Sequence, residues 1–496
     1  MLAGALLATF AERQASSRTR RSAHVDPFVR PRRRPAAGGF APTRVLAFRH
    51  MRNVLPDLLA TRKGRLTAFF LLYVTEGIPL GFTATAIAAQ MRRGGLGPAA
   101  IGAFVGSLYL PWAFKWAMGP FVDTFSSDRF GRRRLWIFLM QLGMIATLLF
   151  AMGVDFIGQI GVFTAIIFLH NAFAATMDVA IDALAVSVVP EEERGSVNGF
   201  MFAGASIGQA IGGSGVLFLT AVMPFASTYL FVAATILAIT LFVVLPLREK
   251  VVPLVAGEVR AVRNVSKELG IFVVEAWRAF TGSRAALVGV LYAVLPAGAY
   301  ALSLALQSNL AVELGLDDNE VAQLNLYTTV IFAPACIFGG WLSDRFGRRS
   351  TLALFVFLTV VPTLWLAWTM WQAGWIMPVD MQMANRPQPS RVLIVTFWTT
   401  CIVYNVFQGL YYGIRSALFM DITTPAVAAT QFTAYMALMN LCISYTATWQ
   451  GYLVERIGYP STLVVDCVAG LLGLVLLPLM RPAKHAPAAT PVAAAA

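Results

Sequence analysis

Four ionisable side chains stand inside apolar stretches of the chain: Glu76, Lys115, Asp178 and Asp182. An ionisable group at the centre of a bilayer costs on the order of 2.5–3.5 kcal/mol on insertion scales, and it usually marks a path for ions or protons. Asp178 and Asp182 are i,i+4 neighbours and share one helical face. Asn171, seven residues before Asp178, extends that face. Lys115 is the natural counter-ion. Were all four ionised, the cluster would sum to minus two, so at least one carboxyl must hold a proton and exchange it. That chemistry suits coupling a proton to a conformational step. The alternative is a permanent salt bridge of Lys115 with Asp182, which leaves Glu76 and Asp178 to take up and release protons.

A second set is polar but nearly uncharged. Tyr404, Gln408, Tyr411 and Arg415 recur at spacings of four, three and four, which places them on one helical face with Asn405 and Tyr412 alongside. Further along, Gln431, Tyr435, Asn440, Tyr445 and Trp449 add donors and ring faces, while Asp466 is an isolated acid. A cavity lined by such residues suits a sizeable polar solute, with Arg415 open to an anionic group and Asn171 contributing from the first half. Trp449 also fits an interfacial belt. His170 has no acidic or thiol neighbour at metal-ligand spacing and reads as a packed polar residue. Cys336, Cys401, Cys442 and Cys467 all lie in apolar stretches without C-x-x-C spacing. No metal or other cofactor is expected.

A third set is repeated. The heptapeptide from Ser127 to Arg133 recurs from Ser343 to Arg349 as S-D-R-F-G-R-R. Such a loop needs a small residue where two helices approach, an acid at a helix end to fix basic partners, and a glycine to turn the chain. The residues expected to form this conformational latch are Gly119, Asp123, Asp128, Arg129, Gly131 and Arg132 in the first copy. Gly340, Asp344, Arg345, Gly347 and Arg348 form the second. The arginines alone could simply follow the rule that basic loops stay in the cytoplasm.

These residues need membrane helices to position them. The chain is 58% hydrophobic and 13% charged, with mean hydropathy +0.68, against about 25% charged in an ordinary soluble chain. Twelve apolar stretches are long enough for a hydrocarbon core of about 30 Å: 67–90, 100–121, 135–153, 158–187, 196–222 and 226–247, then 285–311, 320–342, 350–372, 392–413, 427–450 and 460–480. The expected fold is an all-α integral membrane protein of twelve transmembrane helices in two pseudo-symmetric six-helix bundles, 67–247 and 285–480. Between them, 248–284 carries seven basic residues around Leu269, Phe272, Val273 and Trp277, the pattern of a surface amphipathic helix or a solvated tether. Each repeat copy falls in the loop after the second stretch of its half, so identity and topology agree.

Of the 38 basic residues, 32 fall on one side of this topology and five on the other, which puts both termini in the cytoplasm. The tail 1–66 is basic and proline-broken and expected to be disordered, with Met51 as a competing start. The apolar Met1–Phe10 lacks a preceding positive region and does not read as a signal peptide. The tail 481–496 is also expected to be disordered. No aromatic interleaving accompanies the basic tail, so nucleic acid is not an expected partner.

The segment from Gly340 to Arg349 resembles the G-x-x-x-D-R-x-G-R-R loop of the major facilitator superfamily, whereas the first copy has five residues inserted after Asp123. More specifically, Leu72–Gly81 is similar to the family of AmpG-type muropeptide permeases and acetyl-CoA transporters. So are Leu110–Asp123 with its lysine, Asp178–Ala183 with the following Pro190–Gly195, and Val427–Tyr435 with Gly451–Glu455. The resemblance implies proton-driven import of a bulky polar solute, such as a muropeptide, a siderophore complex or an acyl-CoA. It also implies a multi-pass protein of the bacterial inner membrane. A monomer partnered by solute, protons and lipid is expected. No span carries a metal-binding pair or a phosphate loop, so an enzyme is not expected. A receptor or scaffold that moves nothing is the alternative.

Overall fold

Within hydrocarbon each backbone N–H and C=O must find its partner inside the chain, which an apolar helix achieves locally. The computed structural model describes residues 57–124, 131–190, 193–249, 280–422 and 428–480, together with 267, 270, 271, 273, 274, 277 and 278. The first tail up to 56, Asp128, Arg129, most of the linker and the tail from 481 lie outside the described residues. So do Leu269 and Phe272 of the linker stripe and the side chains of Asp123, Arg132 and Asp344.

The first half comprises α1 (Arg62–Arg93), α2 (Pro98–Ala113), the short α3 (Gly119–Thr124), α4 (Arg132–Met152), α5 (Ile160–Val188), α6 (Arg194–Ala210) and α7 (Phe225–Val244). The second comprises α8 (Arg284–Val294), α9 (Ala305–Glu313), α10 (Asp318–Phe346), α11 (Arg348–Gln372), α12 (Arg391–Ile422) and α13 (Ala428–Leu472). Among the described residues, nine helices are long and apolar enough to cross a membrane. The difference from twelve predicted stretches has three local causes. In the second stretch Pro111 sits inside the helix and the Phe114 N–H turns back to Leu110 and Pro111, so the chain passes into a 3-10 turn, Lys115–Met118. The seventh stretch is split into α8 and α9. The last two form one apolar run that bends at Gly458, whose φ of 82° is in the left-handed region, two residues before Pro460.

Small residues let α1 and α6 close on each other. A Cβ at Gly208 would fall within 3.0 Å of Ile78 N and Gly77 Cα, and one at Gly77 or Gly81 would strike α6 backbone at Ala205 or Gln209. Because rigid backbone is the obstacle, Gly208→Leu is expected to cost at least the upper part of the usual overpacking range, about 1–3 kcal/mol. A lowered thermal transition of the detergent-solubilised protein would measure it; an unchanged transition would contradict this packing.

Side-chain bonds between the halves gather at the end of the molecule that carries Arg92. Arg92 Nη2 lies 2.5 Å from Glu313 Oε2, and Arg93 Nε 2.8 Å from Asp318 Oδ1. Gln90 and Thr220 also donate to Asp318, and the Ala99 N–H donates to Glu455. Gly102 and Gly106 bring α2 against α13 at the Ala447 and Ser444 carbonyls. The opposite end carries the two repeat loops. There Gly131 and Gly347, with φ of 90° and 91°, start α4 and α11 in the same left-handed conformation. The expected close approach at Gly119 and Gly340 is corrected: a Cβ built on either meets nothing within 4 Å. The halves meet at the other end, so these glycines face no neighbour here.

Candidate functional site

The four ionisable residues come from three helices of one half. Tyr73 and Glu76 are i,i+3 neighbours on α1. Lys115 opens the 3-10 turn after α2, and Asp178 and Asp182 share a face of α5. Lys115 Nζ lies 2.7 Å from Asp178 Oδ2, while Tyr73 donates to Asp182 Oδ1 at 2.6 Å. The alternative of a salt bridge between Lys115 and Asp182 is therefore corrected. The 3-10 turn carries the lysine to Asp178, and a phenol absent from the predicted site takes Asp182. Glu76 adjoins Asp178 and lies within electrostatic range of Lys115 and Asp182, and its Oε2 has no hydrogen-bond partner among the described residues. The ammonium also stands 5.7 Å from the Trp112 ring centre, where the π-face favours a cation.

The second half is organised around the gap between α8 and α9. Breaking a helix frees carbonyls on one side and N–H groups on the other, and in a membrane they must be satisfied by protein. Pro296 and Gly298, whose φ is 82°, open the gap. On the carbonyl side, Arg415 donates to Leu295 at 3.1 Å and to Tyr292 and Ala293 at 3.3 and 3.4 Å, with a further bond to the Tyr300 hydroxyl at 2.7 Å. Tyr404 donates to Ala299 at 2.5 Å, and Tyr445 to Val294. On the N–H side, Asp466 Oδ2 accepts from Tyr300 and Ala301 at 2.8 and 2.9 Å, and Thr359 accepts from Ala299.

Between the halves lies a cavity of about 700 Å³, including the space at its mouth. Its polar lining comes from Thr85 on α1, Tyr109 on α2, Gln209 on α6, Ser303 in the gap, Gln307 and Ser308 on α9 and Asn325 on α10. Among the described residues, no charged side chain lines it. Local helix irregularities adjoin it: α1 passes into π-helical geometry over Phe82–Ile87, and α6 continues into a π turn over Ile211–Gly215. Such bulges turn side chains that regular helix would direct elsewhere. Leu80, also on the lining, is one turn from Glu76, about 6 Å along a helix. Cavity and carboxylates thus share α1.

The predicted recognition residues divide. Tyr404, Tyr411 and Arg415 are buried within the second half, where Tyr404 and Arg415 hold the gap instead of facing the cavity. Tyr404 approaches the cavity only through its 3.1 Å bond to Ser303. Tyr435 donates to the Ala286 carbonyl and stacks on Phe419 at 4.7 Å. Asn171 is buried and donates one turn back to Ile167. Gln431 is fully buried. Gln408 is partly exposed on the neighbouring face with Tyr412, which lies within electrostatic range of Tyr109 across the halves. The cavity residues Gln209, Gln307, Ser308 and Asn325 were absent from the prediction, although amides and hydroxyls inside apolar stretches are the signal that could have found them. Of the latch residues, Arg348 pairs with Asp421 at 2.5 Å and Arg345 stands 5.9 Å from the Trp341 ring centre. His170 is buried, with Nδ1 held by Thr147 and Met144.

Comparison with known proteins places this geometry. The sequence profile of the Major Facilitator Superfamily matches residues 66–447 and, in a second alignment, 298–496. The anhydromuropeptide permease of Escherichia coli (strain K12) is 26% identical over 427 residues, covering 84% of this chain and 80% of that protein. Among solved structures, the nucleoside transporter NupG aligns with TM-score 0.61 at 13% identity over 84% of this chain and 99% of its own. A D-xylose–proton symporter aligns with TM-score 0.58 at 13% identity, over 84% and 98%. At such identities the two structures speak for the fold.

Proposed function

This chain belongs to the Major Facilitator Superfamily and is a multi-pass secondary transporter; from that premise we propose that it imports a bulky polar solute of the muropeptide kind together with protons. The single observation that carries the reading is the juxtaposition, through Glu76 and Leu80 of α1, of a carboxylate–lysine cluster and a hydrogen-bonding cavity between the halves. Seven hydroxyl or amide side chains in the cavity suit a solute rich in hydroxyl and amide groups, and the E. coli relative is named for such a solute. A cluster with three carboxyls and one ammonium carries protons whenever it is near neutrality. Adding or removing one beside the cavity changes which state of the transporter is favoured.

The setting is the bacterial inner membrane with both termini in the cytoplasm, a reading that the distribution of basic residues supports. In that orientation the Arg92–Glu313 end is periplasmic, and the cross-half bonds gathered there support reading this conformation as the inward-facing state of an alternating-access cycle. The transporter works as a monomer. Asp123 and the two repeat loops would close the opposite end in the outward-facing state.

The test is uptake by proteoliposomes of a radiolabelled anhydromuropeptide, in competition with unlabelled muropeptide, siderophore and acyl-CoA. An imposed inward proton gradient is expected to raise accumulation at least tenfold over collapsed controls, about 1.4 kcal/mol of driving force, with muropeptide competing best. Competition by siderophore or acyl-CoA alone would reassign the solute. Accumulation indifferent to the gradient would remove the proton, and absence of uptake of all three would favour a receptor or scaffold.

A further inference from the structure

The gap between α8 and α9 sets where the cavity's second-half residues stand. Ser303 lies in the gap, and Gln307 and Ser308 follow in the first turn of α9. Whatever fixes the start of α9 fixes all three. We propose that Asp466, opposed across the gap by Arg415, is a positioning residue for solute recognition: it holds the restarted helix in the register that presents Ser303, Gln307 and Ser308 to the solute. The inference rests on the proposed transport reading only for its uptake arm.

The geometry is that of a two-sided clamp. Asp466 is fully buried on α13. Its Oδ2 receives the N–H groups of two successive residues, Tyr300 and Ala301, and its Oδ1 receives Gln450 Nε2 at 2.7 Å. Just upstream, the Gly298 N–H bonds to the Gly470 carbonyl, and a Cβ at Gly470 would collide with Gly298 itself. The chain is thus pinned to α13 one turn apart, at Asp466 and Gly470. Arg415 fastens the carbonyls of Tyr292, Ala293 and Leu295 to α12. Tyr445 of α13 also holds the Val294 carbonyl and Tyr404 of α12 the Ala299 carbonyl, so both helices grip the gap, while the N–H groups that open the second piece are held by Asp466.

This clamp needs an acceptor, not a charge. Gln450 Oε1 is buried with no partner among the described residues. An asparagine at 466 could keep its oxygen on the Tyr300 and Ala301 N–H groups and donate its amide to a flipped Gln450, so every bond is conserved. Alanine cannot do this. In a chain whose four native cysteines are serines, Gln307→Cys reports the position of α9 through its alkylation rate with N-ethylmaleimide.

Asp466→Ala is expected to raise the KM for labelled anhydromuropeptide about tenfold with Vmax within about threefold, the pattern of lost binding interactions. It should change the alkylation rate at 307 by about tenfold, while Asp466→Asn leaves KM and alkylation within about twofold of the parent. An Asp466→Ala protein unchanged in both readouts would overturn the proposal, as would an Asp466→Asn protein as impaired as Asp466→Ala. If Asp466→Ala does not reach the membrane, Thr359→Val takes the Ala299 bond from the same turn. It is expected to raise KM about threefold, and no change would overturn the proposal. Should the parent not take up the probe, the solute reading fails and the alkylation rates alone decide the clamp.

Discussion

Asp178→Asn is expected to abolish proton-driven accumulation while leaving solute exchange intact. The Lys115 ammonium loses its 2.7 Å partner, and Glu76 loses the carboxyl it adjoins. Removing one member of a fully buried pair costs about 3–5 kcal/mol. The Lys115 side chain is 26% exposed against 3% for Asp178, so water screens part of that and the loss falls nearer the lower end or below it. The variant should therefore fold but no longer link proton release to the lysine. Accumulation under a proton gradient is expected to drop about 100-fold, equivalent to about 2.7 kcal/mol, with counterflow nearly unchanged. Adding Lys115→Gln removes the orphaned cation and should restore thermal stability without restoring accumulation. Unchanged accumulation in Asp178→Asn at neutral pH would exclude this carboxyl from coupling.

Glu313→Ala is expected to release the closed end. Its side chain is 0% exposed and its carboxylate is saturated by four donors: Arg92 and Tyr459 on one oxygen, Trp375 Nε1 and the Val379 N–H on the other. These come from α1, α13 and the α11–α12 connection, so one side chain ties both halves together. Leaving Arg92 buried and unpaired costs about 3–5 kcal/mol, and that cost is borne only while this end is shut. The two-state balance should shift by 100-fold or more toward opening there. With Leu316→Cys as reporter in the cysteine-free chain, labelling from outside by an impermeant thiol reagent should accelerate by about that factor, and uptake should fall at least tenfold. Arg93–Asp318 remains as a second, more exposed pair, so the variant should stay folded. Labelling no faster than the parent would show that Glu313 is not the latch.

Much of this architecture is legible without coordinates, and the reason is the solvent. Lipid penalises each charged residue and each open backbone bond, so length and apolarity mark the helices, and the excess of arginine and lysine orders the loops. The repeat of Ser127–Arg133 at Ser343–Arg349 also carries through to geometry, since Gly131 and Gly347 take the same left-handed φ at the start of α4 and α11. The interruption of the seventh stretch was present as Pro296 and Gly298. An averaged hydropathy hides the break because the flanking residues are apolar.

The recognition face shows where periodicity stops being informative. Tyr404, Tyr411 and Arg415 do share one side of α12, but a period cannot say what that side meets. Arg415 meets carbonyls that exist as free acceptors only because the helix ends at Val294, more than a hundred residues earlier. Gln408, at the edge of that stripe, and Tyr412 beside it are the more open positions.

By itself the sequence determined a membrane-embedded helical chain, its duplicated loops and the presence of acids and one lysine within apolar stretches, because hydropathy and local repeats are properties of neighbouring residues. Only the tertiary structure decided that Lys115 takes Asp178, that Tyr73 takes Asp182, that the tyrosine and arginine stripe braces a broken helix, and that amides from both halves line the cavity. Those choices depend on distances between residues far apart in the chain, set by how helices pack and where they break.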